Sequence, residues 1–243
     1  MVILGIETAT VACSVAVRSG GRLVAERTVL IPQAHSVKLA SLAAGALGDA
    51  GITGDDLTAV AVSCGPGSFT GLRVGIATAK GLAMGWGKRV VPAPTLDALA
   101  RTALPWGGPI CAALVARRGE VYYAVYDGRD GTRLMGPRTG NIGSVAETVR
   151  GALGSFNSGF GGNVGLLGDG AEALHREFET AFGGRVDVFP EVRRLPRAWS
   201  VCEVGERLLL SGEAADAAEI KPFYLRRSEA ENNLERGESC ERR

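Results

Sequence analysis

Apolar residues in the first half of the chain fall into short continuous runs and into stripes with helical spacing. Short runs of this kind predict strands, whereas apolar residues three and four positions apart predict helices with one buried face. The predicted order is three strands, a helix, a strand and a helix, at residues 2–8, 12–17, 22–30, 35–50, 57–62 and 68–86. Gly20-Gly21 is typical of a hairpin turn, and Gly51 is placed to end the first helix. A short strand at 90–91 and a helix at 95–104, with Thr95 as its cap, follow.

The same order of elements begins again after residues 105–109, where two prolines and two glycines interrupt the pattern. The second half predicts three strands, a helix, a strand, a helix and a strand, at 110–116, 121–127, 132–135, 144–153, 164–167, 171–182 and 186–189. A repeated βββαβα order predicts an α/β fold with two ribonuclease-H-like lobes. We assign these lobes to residues 1–104 and 105–225.

The C-terminal region predicts one more helix, at 200–211, which is a candidate to pack back on the first lobe. Ser200 and Glu203 have the spacing of a capping box at its start. Residues 220–225 predict a short strand or extended segment, and the charged stretch 226–243 predicts a disordered tail.

Composition narrows the classes of function. The 243 residues carry 27 basic and 26 acidic side chains, so no overall charge draws the chain to nucleic acid. Two histidines are too few to favour a zinc site. The five cysteines form no CxxC pair, and three of them, Cys13, Cys64 and Cys111, lie in or at the end of predicted strands, which is typical of buried thiols in a reducing compartment. No run reaches 18 apolar residues and no secretory signal is visible, so we expect a cytoplasmic protein without a membrane span.

The turn Gly65-Pro66-Gly67 joins the fourth strand to the second helix, which Ser68 or Thr70 can cap. A glycine-rich turn before a helix suggests phosphate binding. The signal is weak here, because the P-loop lysine is missing and Pro66 has no N–H to donate.

The helix that follows is unusually rich in small residues. Each glycine inside a helix costs about 1 kcal/mol relative to alanine, which indicates that something packs close to the backbone. The close neighbour is either the chain's own sheet or a helix of another chain, and both alternatives stay open. The small residues are Gly71, Gly75, Ala77, Thr78, Ala79 and Gly81.

A few other side chains are candidates for chemistry. Ser63, Cys64 and Ser68 have no base beside them in the sequence, so a nucleophile has little support. Glu7 and Asp169 follow strands, where kinases of this fold class hold phosphate and metal. Asp169 is better explained by turn chemistry in Gly168-Asp169-Gly170.

Motifs spread over nearly the whole chain resemble the TsaB (YeaZ) family. They are Ile3 to Thr10, Cys13 to Ala16, His35-Ser36, Gly65 to Gly75, Arg117 to Tyr122, Gly168 to Gly170 and Tyr224 to Arg226. The resemblance implies an acetate-kinase/Hsp70/actin-like fold and a role in making the threonylcarbamoyl modification on an adenosine of certain tRNAs. It also implies a non-catalytic partner of TsaD, the related subunit that transfers the threonylcarbamoyl group, in an assembly that the ATPase TsaE joins.

The chain departs from the family pattern at Glu7, where the first strand usually ends in aspartate. The resemblance also implies that TsaD carries two metal-binding histidines four residues apart, at positions that correspond to Thr95 and Leu99 here. Neither residue can replace an imidazole, so we expect no catalytic residue and no metal site.

We therefore expect a scaffold or activator subunit that binds and activates TsaD together with TsaE. The alternatives are a small-molecule kinase or ATPase of the same fold, and a glycoprotease-like peptidase. Further expected partners are a second copy in a homodimer and, only indirectly through the complex, tRNA. No resident cofactor is expected, although ATP or ADP could lie at an interface with partner subunits.

The expected sites fall into two sets. The partner-binding set lies on the helices at 35–50 and 68–86 and comprises His35, Ser36, Leu39, Leu42, Phe69, Gly71, Leu72, Gly75 and Ala79. The nucleotide or anion set comprises Glu7, Thr8, Gly67, Ser68, Arg73 and Asp169.

Overall fold

The computed structural model describes residues 1–30, 35–155 and 162–225 of the chain. The first half contains the strands β1 (Val2–Glu7), β2 (Ala12–Ser19), β3 (Arg22–Leu30), β4 (Ala59–Gly65) and β5 (Arg89–Pro94), and the helices α1 (His35–Ala50), α2 (Phe69–Gly85) and α3 (Thr95–Arg101). The second half contains β6 (Pro109–Arg117), β7 (Glu120–Asp127), β8 (Arg133–Asn141), β9 (Val164–Leu167) and β10 (Val186–Val188), and the helices α4 (Ile142–Ser155), α5 (Ala171–Phe182) and α6 (Ala198–Leu210).

The ten strands form two five-stranded sheets with the same internal order, β3-β2-β1-β4-β5 and β8-β7-β6-β9-β10. In the first sheet β1 pairs antiparallel with β2 and parallel with β4. In the second sheet β6 makes the equivalent pairs with β7 and β9. This arrangement confirms the predicted repeat and its two ribonuclease-H-like lobes. The domain boundary at 104/105 stays a prediction.

Each sheet is covered by helices on both faces, but not only by helices of its own half. Helices α1 and α2 cover the outer face of the first sheet, and α4 and α5 cover the outer face of the second. The inner face of the first sheet is covered by α6, which places Val201 and Cys202 against Ile3. The inner face of the second sheet is covered by α3, through Leu96 and Leu99. The last helix of each half therefore packs on the sheet of the other.

The first turn of α6 is held by polar groups of the first sheet. The Glu26 carboxylate of β3 accepts hydrogen bonds from the Trp199 amide at 3.1 Å and from the Arg197 guanidinium at 2.6 Å. The Ser14 hydroxyl accepts one from the Ala198 amide at 3.2 Å. Side chains from β2 and β3 thus satisfy the free amides that begin this helix.

Two predicted caps are wrong, and of the two alternatives for residues 220–225 the strand does not form. Thr95 begins α3, but its Oγ1 accepts a hydrogen bond from the Gly65 amide at 3.1 Å and so ties α3 to the β4–α2 turn. Ser200 lies inside the first turn of α6, which begins at Ala198. No strand forms at 220–225, because the segment turns onto the end of β4, where the Phe223 amide donates to the Cys64 carbonyl at 2.6 Å.

Cys13, Cys64 and Cys111 are buried free thiols, as predicted, and Cys202 is a fourth. Cys240 and the expected disordered tail, 226–243, lie outside the described residues. Within the ranges that the structure describes, none of the helices combines the length and the apolarity that crossing a membrane requires.

Candidate functional site

The carboxyl end of β1 and the N-terminus of α2 are tied together by short contacts. Ser68 caps α2 as predicted, and its Oγ accepts a hydrogen bond from the Gly71 amide at 3.2 Å. The Ser68 amide donates to the Ala9 carbonyl at 2.7 Å, and the Thr8 hydroxyl donates to the Gly71 carbonyl at 2.8 Å. A Cβ atom at Gly71 or Gly75 would overlap atoms of Thr8, so packing within the chain requires glycine at both positions.

More than half of the expected partner-binding set is buried inside the chain. The glycines that face inward let α2 lie directly on the end of β1, which is the intramolecular alternative. Five residues expected to meet a partner are instead buried inside the chain and line no surface of it, namely Leu39, Gly71, Leu72, Gly75 and Ala79.

The other members of that set remain predictions. Ser36 is exposed, Leu42 is half-buried against the core, and Phe69 is 38% exposed. The side chain of His35 lies outside the described part of the chain.

The exposed side of α1 and α2 carries a second group of small residues that sequence reasoning did not separate from the first. We call it the small-residue face, and it consists of Ala40, Ala44 and Gly48 on α1 and Ala77 and Gly81 on α2, all exposed. A Cβ atom added at Gly48 or Gly81 would meet nothing within 4 Å. Both helices cover the same face of the first sheet, so their exposed sides point away from it together.

Large apolar residues accompany this face. Val37 near the start of α1 is 75% exposed and Met84 near the end of α2 is 71% exposed. The sequence does carry a signal for this face, because its small residues recur every four positions, at 40, 44 and 48 on α1 and at 77 and 81 on α2. On α2 this row is distinct from the buried small residues at 71, 75 and 79. The exposed side of the two helices can therefore accept a close apolar contact.

The Glu7 carboxyl group is fully buried and used within the chain. The Ser63 hydroxyl of the neighbouring strand β4 donates to one of its oxygens, and the Ala9 amide donates to the other at 2.6 Å. Burial raises the pKa of Glu7 to about 7. The hydrogen bonds that Glu7 accepts from the Ser63 side chain and from the backbone of Ala9 and Thr10 lower this pKa, but by less than burial raises it. An acidic group therefore does lie beside Ser63, although both side chains are sealed from solvent.

The expected nucleotide or anion set does not form one site in this structure. Glu7 and Thr8 are buried, so their side chains have no surface to offer a nucleotide. Gly67 fits against Ala9, where a Cβ atom would overlap the Ala9 carbonyl. Ser68 is occupied as the cap of α2.

Asp169, in the other lobe, follows β9 and is exposed. Its Oδ1 accepts a hydrogen bond from the Val115 amide at 2.8 Å. This contact ties the turn after β9 to strand β6 of the same lobe, so it differs from the local turn chemistry that the sequence offered as the alternative.

The positions that correspond to the expected metal-binding histidines face inward. Thr95 binds the Gly65 amide, and Leu99 is fully buried on the second sheet. Across residues 1–30, 35–155 and 162–225, no three His, Cys, Asp or Glu side chains are grouped so that they could hold a metal ion.

The last described residues, 217–225, run along α2 from its C-terminal end to its N-terminus. The Lys80 ammonium donates to the Ala218 carbonyl at 3.1 Å. At the other end the Tyr224 ring stacks on Phe69 with 5.1 Å between centroids, and the Arg73 guanidinium both lies over the Phe69 ring and donates to the Tyr224 hydroxyl at 3.2 Å. Sequence reasoning missed this contact, since nothing local in residues 220–225 indicates which helix they meet.

Comparison with known proteins places these features in a family context. The family described as TsaD, tRNA N6-adenosine threonylcarbamoyltransferase, matches residues 29–234. The chain is 41% identical over 128 residues to the tRNA threonylcarbamoyladenosine biosynthesis protein TsaB of Escherichia coli, a match that covers 52% of this chain and 55% of that protein. It is 31% identical over 131 residues to TsaB of Bacillus subtilis, covering 54% and 57%. The chain thus spans about half the length of these curated relatives.

A solved structure extends the likeness of fold to nearly the whole chain. YeaZ from Pseudomonas aeruginosa superposes with a TM-score of 0.72 at 24% identity, over 92% of this chain and 99% of that one. The two proteins therefore share the two-lobed α/β arrangement that the sequence predicted.

Proposed function

This chain belongs to the TsaD family, within its TsaB (YeaZ) group, and from that premise we propose that it is a non-catalytic subunit of the machinery that makes threonylcarbamoyladenosine in tRNA. Its task is to bind and activate a TsaD-type threonylcarbamoyltransferase. A TsaE-type ATPase acts on the same assembly, with ATP or ADP at the interface between subunits. The chain meets tRNA only through the complex, and a second copy occupies its docking surface when the TsaD-type partner is absent.

The observation that carries this proposal is the small-residue face. Small residues let two helices approach closely, and exposed apolar residues at both ends of such a face bury area when a partner arrives. The side chains at the end of β1, where enzymes of this fold hold phosphate, are meanwhile committed to internal contacts. An exposed surface suited to docking therefore supports a binding role. The internal contacts of the side chains at the end of β1 count against catalysis there.

The test compares two glycines that both face open space on helices. Gly81→Leu places a bulky side chain on the small-residue face, and Gly143→Leu places the same side chain on α4 of the other lobe. We expect Gly81→Leu to abolish co-purification with the TsaD-type subunit and to lower tRNA modification in the reconstituted system. Gly143→Leu should leave both unchanged. Wild-type binding by the Gly81→Leu protein would remove the basis for the proposal.

Gly75→Leu is not a usable test of docking, although the sequence suggests it. Its side chain would overlap Thr8 inside the chain, so a loss of binding would report a damaged fold.

A further inference from the structure

The C-terminal segment that lies along α2 is anchored unequally along its length. Ala217 and Ile220 are 5% and 4% exposed and belong to the core under α1 and α2. None of the following five residues, 221–225, is buried. Residues 221–225 are held instead by the hydrogen bond that the Phe223 amide donates to the Cys64 carbonyl and by the contacts of Tyr224.

The contacts of Tyr224 fall on the residues that begin the exposed side of α2. That side runs from Phe69 and Arg73 through Ala77 and Gly81 to Met84. Tyr224 engages the first two of these, by stacking on Phe69 and by accepting a hydrogen bond from Arg73. A helix seated along the whole exposed side of α2 would need the space and the groups that Tyr224 occupies.

We propose that residues 221–225 form a latch that pivots at Ile220 and restrains docking on α2 until it is released. The proposal rests on the proposed function, because it regulates the same face. Closed, the latch holds Phe69 and Arg73 to the chain itself. Open, it frees both residues for the partner, at the loss of the contacts of Tyr224 and of the hydrogen bond from the Phe223 amide to Cys64.

The first experiment examines the chain alone. Hydrogen exchange of the Phe223 amide reports closure, because this amide is bonded only while the latch lies on β4. Tyr224→Ala should speed this exchange by up to about tenfold, the size expected for one lost aromatic pair. Exchange in α6 should not change. Tyr224→Phe keeps the ring and loses only the bond to Arg73, so its effect should be smaller. Equal exchange in wild type and Tyr224→Ala would overturn the latch.

The second experiment measures the dissociation constant of the TsaD-type subunit for full-length wild type, Tyr224→Ala and Gly81→Leu. Tyr224→Ala should tighten binding several-fold, because the partner no longer competes with a closed latch. If Tyr224→Ala weakens binding or leaves it unchanged while Gly81→Leu abolishes it, the latch is wrong and the docking face stands. If Gly81→Leu binds normally, the docking face is wrong whatever Tyr224→Ala does.

Discussion

Replacing the buried Glu7 by glutamine should make the protein more stable at neutral pH and change how its stability depends on pH. Glutamine is isosteric with the protonated acid. Its amide nitrogen can donate to the Ser63 hydroxyl and its oxygen can accept from the Ala9 amide, so both contacts survive. The substitution therefore removes one ionisable group and leaves the packing in place.

The size of the effect follows from the pKa of Glu7, which burial raises from 4.5 to about 7. A difference of about 2.5 units at 1.36 kcal/mol each gives about 3 kcal/mol. Because the folded pKa is raised, this stability is complete below pH 4.5, declines as the pH rises, and is lost above about pH 7. Glutamine cannot ionise and loses nothing over this range.

The assay is urea unfolding of wild type and Glu7→Gln at several pH values from 5 to 8. The difference between the two free energies of unfolding cancels the other titrating groups. It should be small at pH 5 and grow by about 2 to 3 kcal/mol in favour of Glu7→Gln by pH 8. Glu172→Gln, which removes an exposed carboxyl from α5, should stay within about 0.5 kcal/mol of wild type throughout. A Glu7→Gln difference that does not vary with pH would refute the reasoning.

Three other outcomes are expected. Gly75→Leu should lower the unfolding temperature sharply, because its side chain overlaps Thr8, and an unchanged melting curve would show that α2 does not lie on β1 as described. Glu26→Ala should cost about 1 to 3 kcal/mol in urea unfolding, since it strips the Trp199 amide and leaves Arg197 without its carboxylate; a loss under about 0.5 kcal/mol would contradict this anchoring of α6. Mg-ATP should not raise the unfolding temperature of the isolated chain, and a rise of several degrees would favour the kinase or ATPase alternative.

The sequence predicted the order of elements well, because apolar spacing and turn glycines are local signals. It did not predict which way the small residues of α2 face, since glycine and alanine occur on both sides of that helix. Thr95 was assigned to a cap because its residue type favours one, yet the adjacent Gly65 amide competes for its oxygen. Such competition arises only once β4 and α3 are placed side by side.

The contact between Glu7 and Ser63 could almost have been predicted from the sequence. In the parallel register of β1 and β4, Ile6 lies beside Val62, which brings the next residues of both strands together. What the sequence lacked was the knowledge that β1 and β4 are neighbours. The stack of Tyr224 on Phe69 was out of reach, because 155 positions separate the two rings along the chain and no periodic pattern links them.

The crossing of α3 and α6 between the two sheets means that neither half of this polypeptide is self-sufficient. Cut in the loop before β6, the N-terminal piece would expose Leu96 and Leu99 of α3 and would leave Ile3 and Ala61 without the cover of α6. The C-terminal piece would show the same defect around Ile110 and Tyr126. Each fragment alone would thus expose apolar surface and tend to aggregate. When mixed, the two fragments should reassociate without a covalent link.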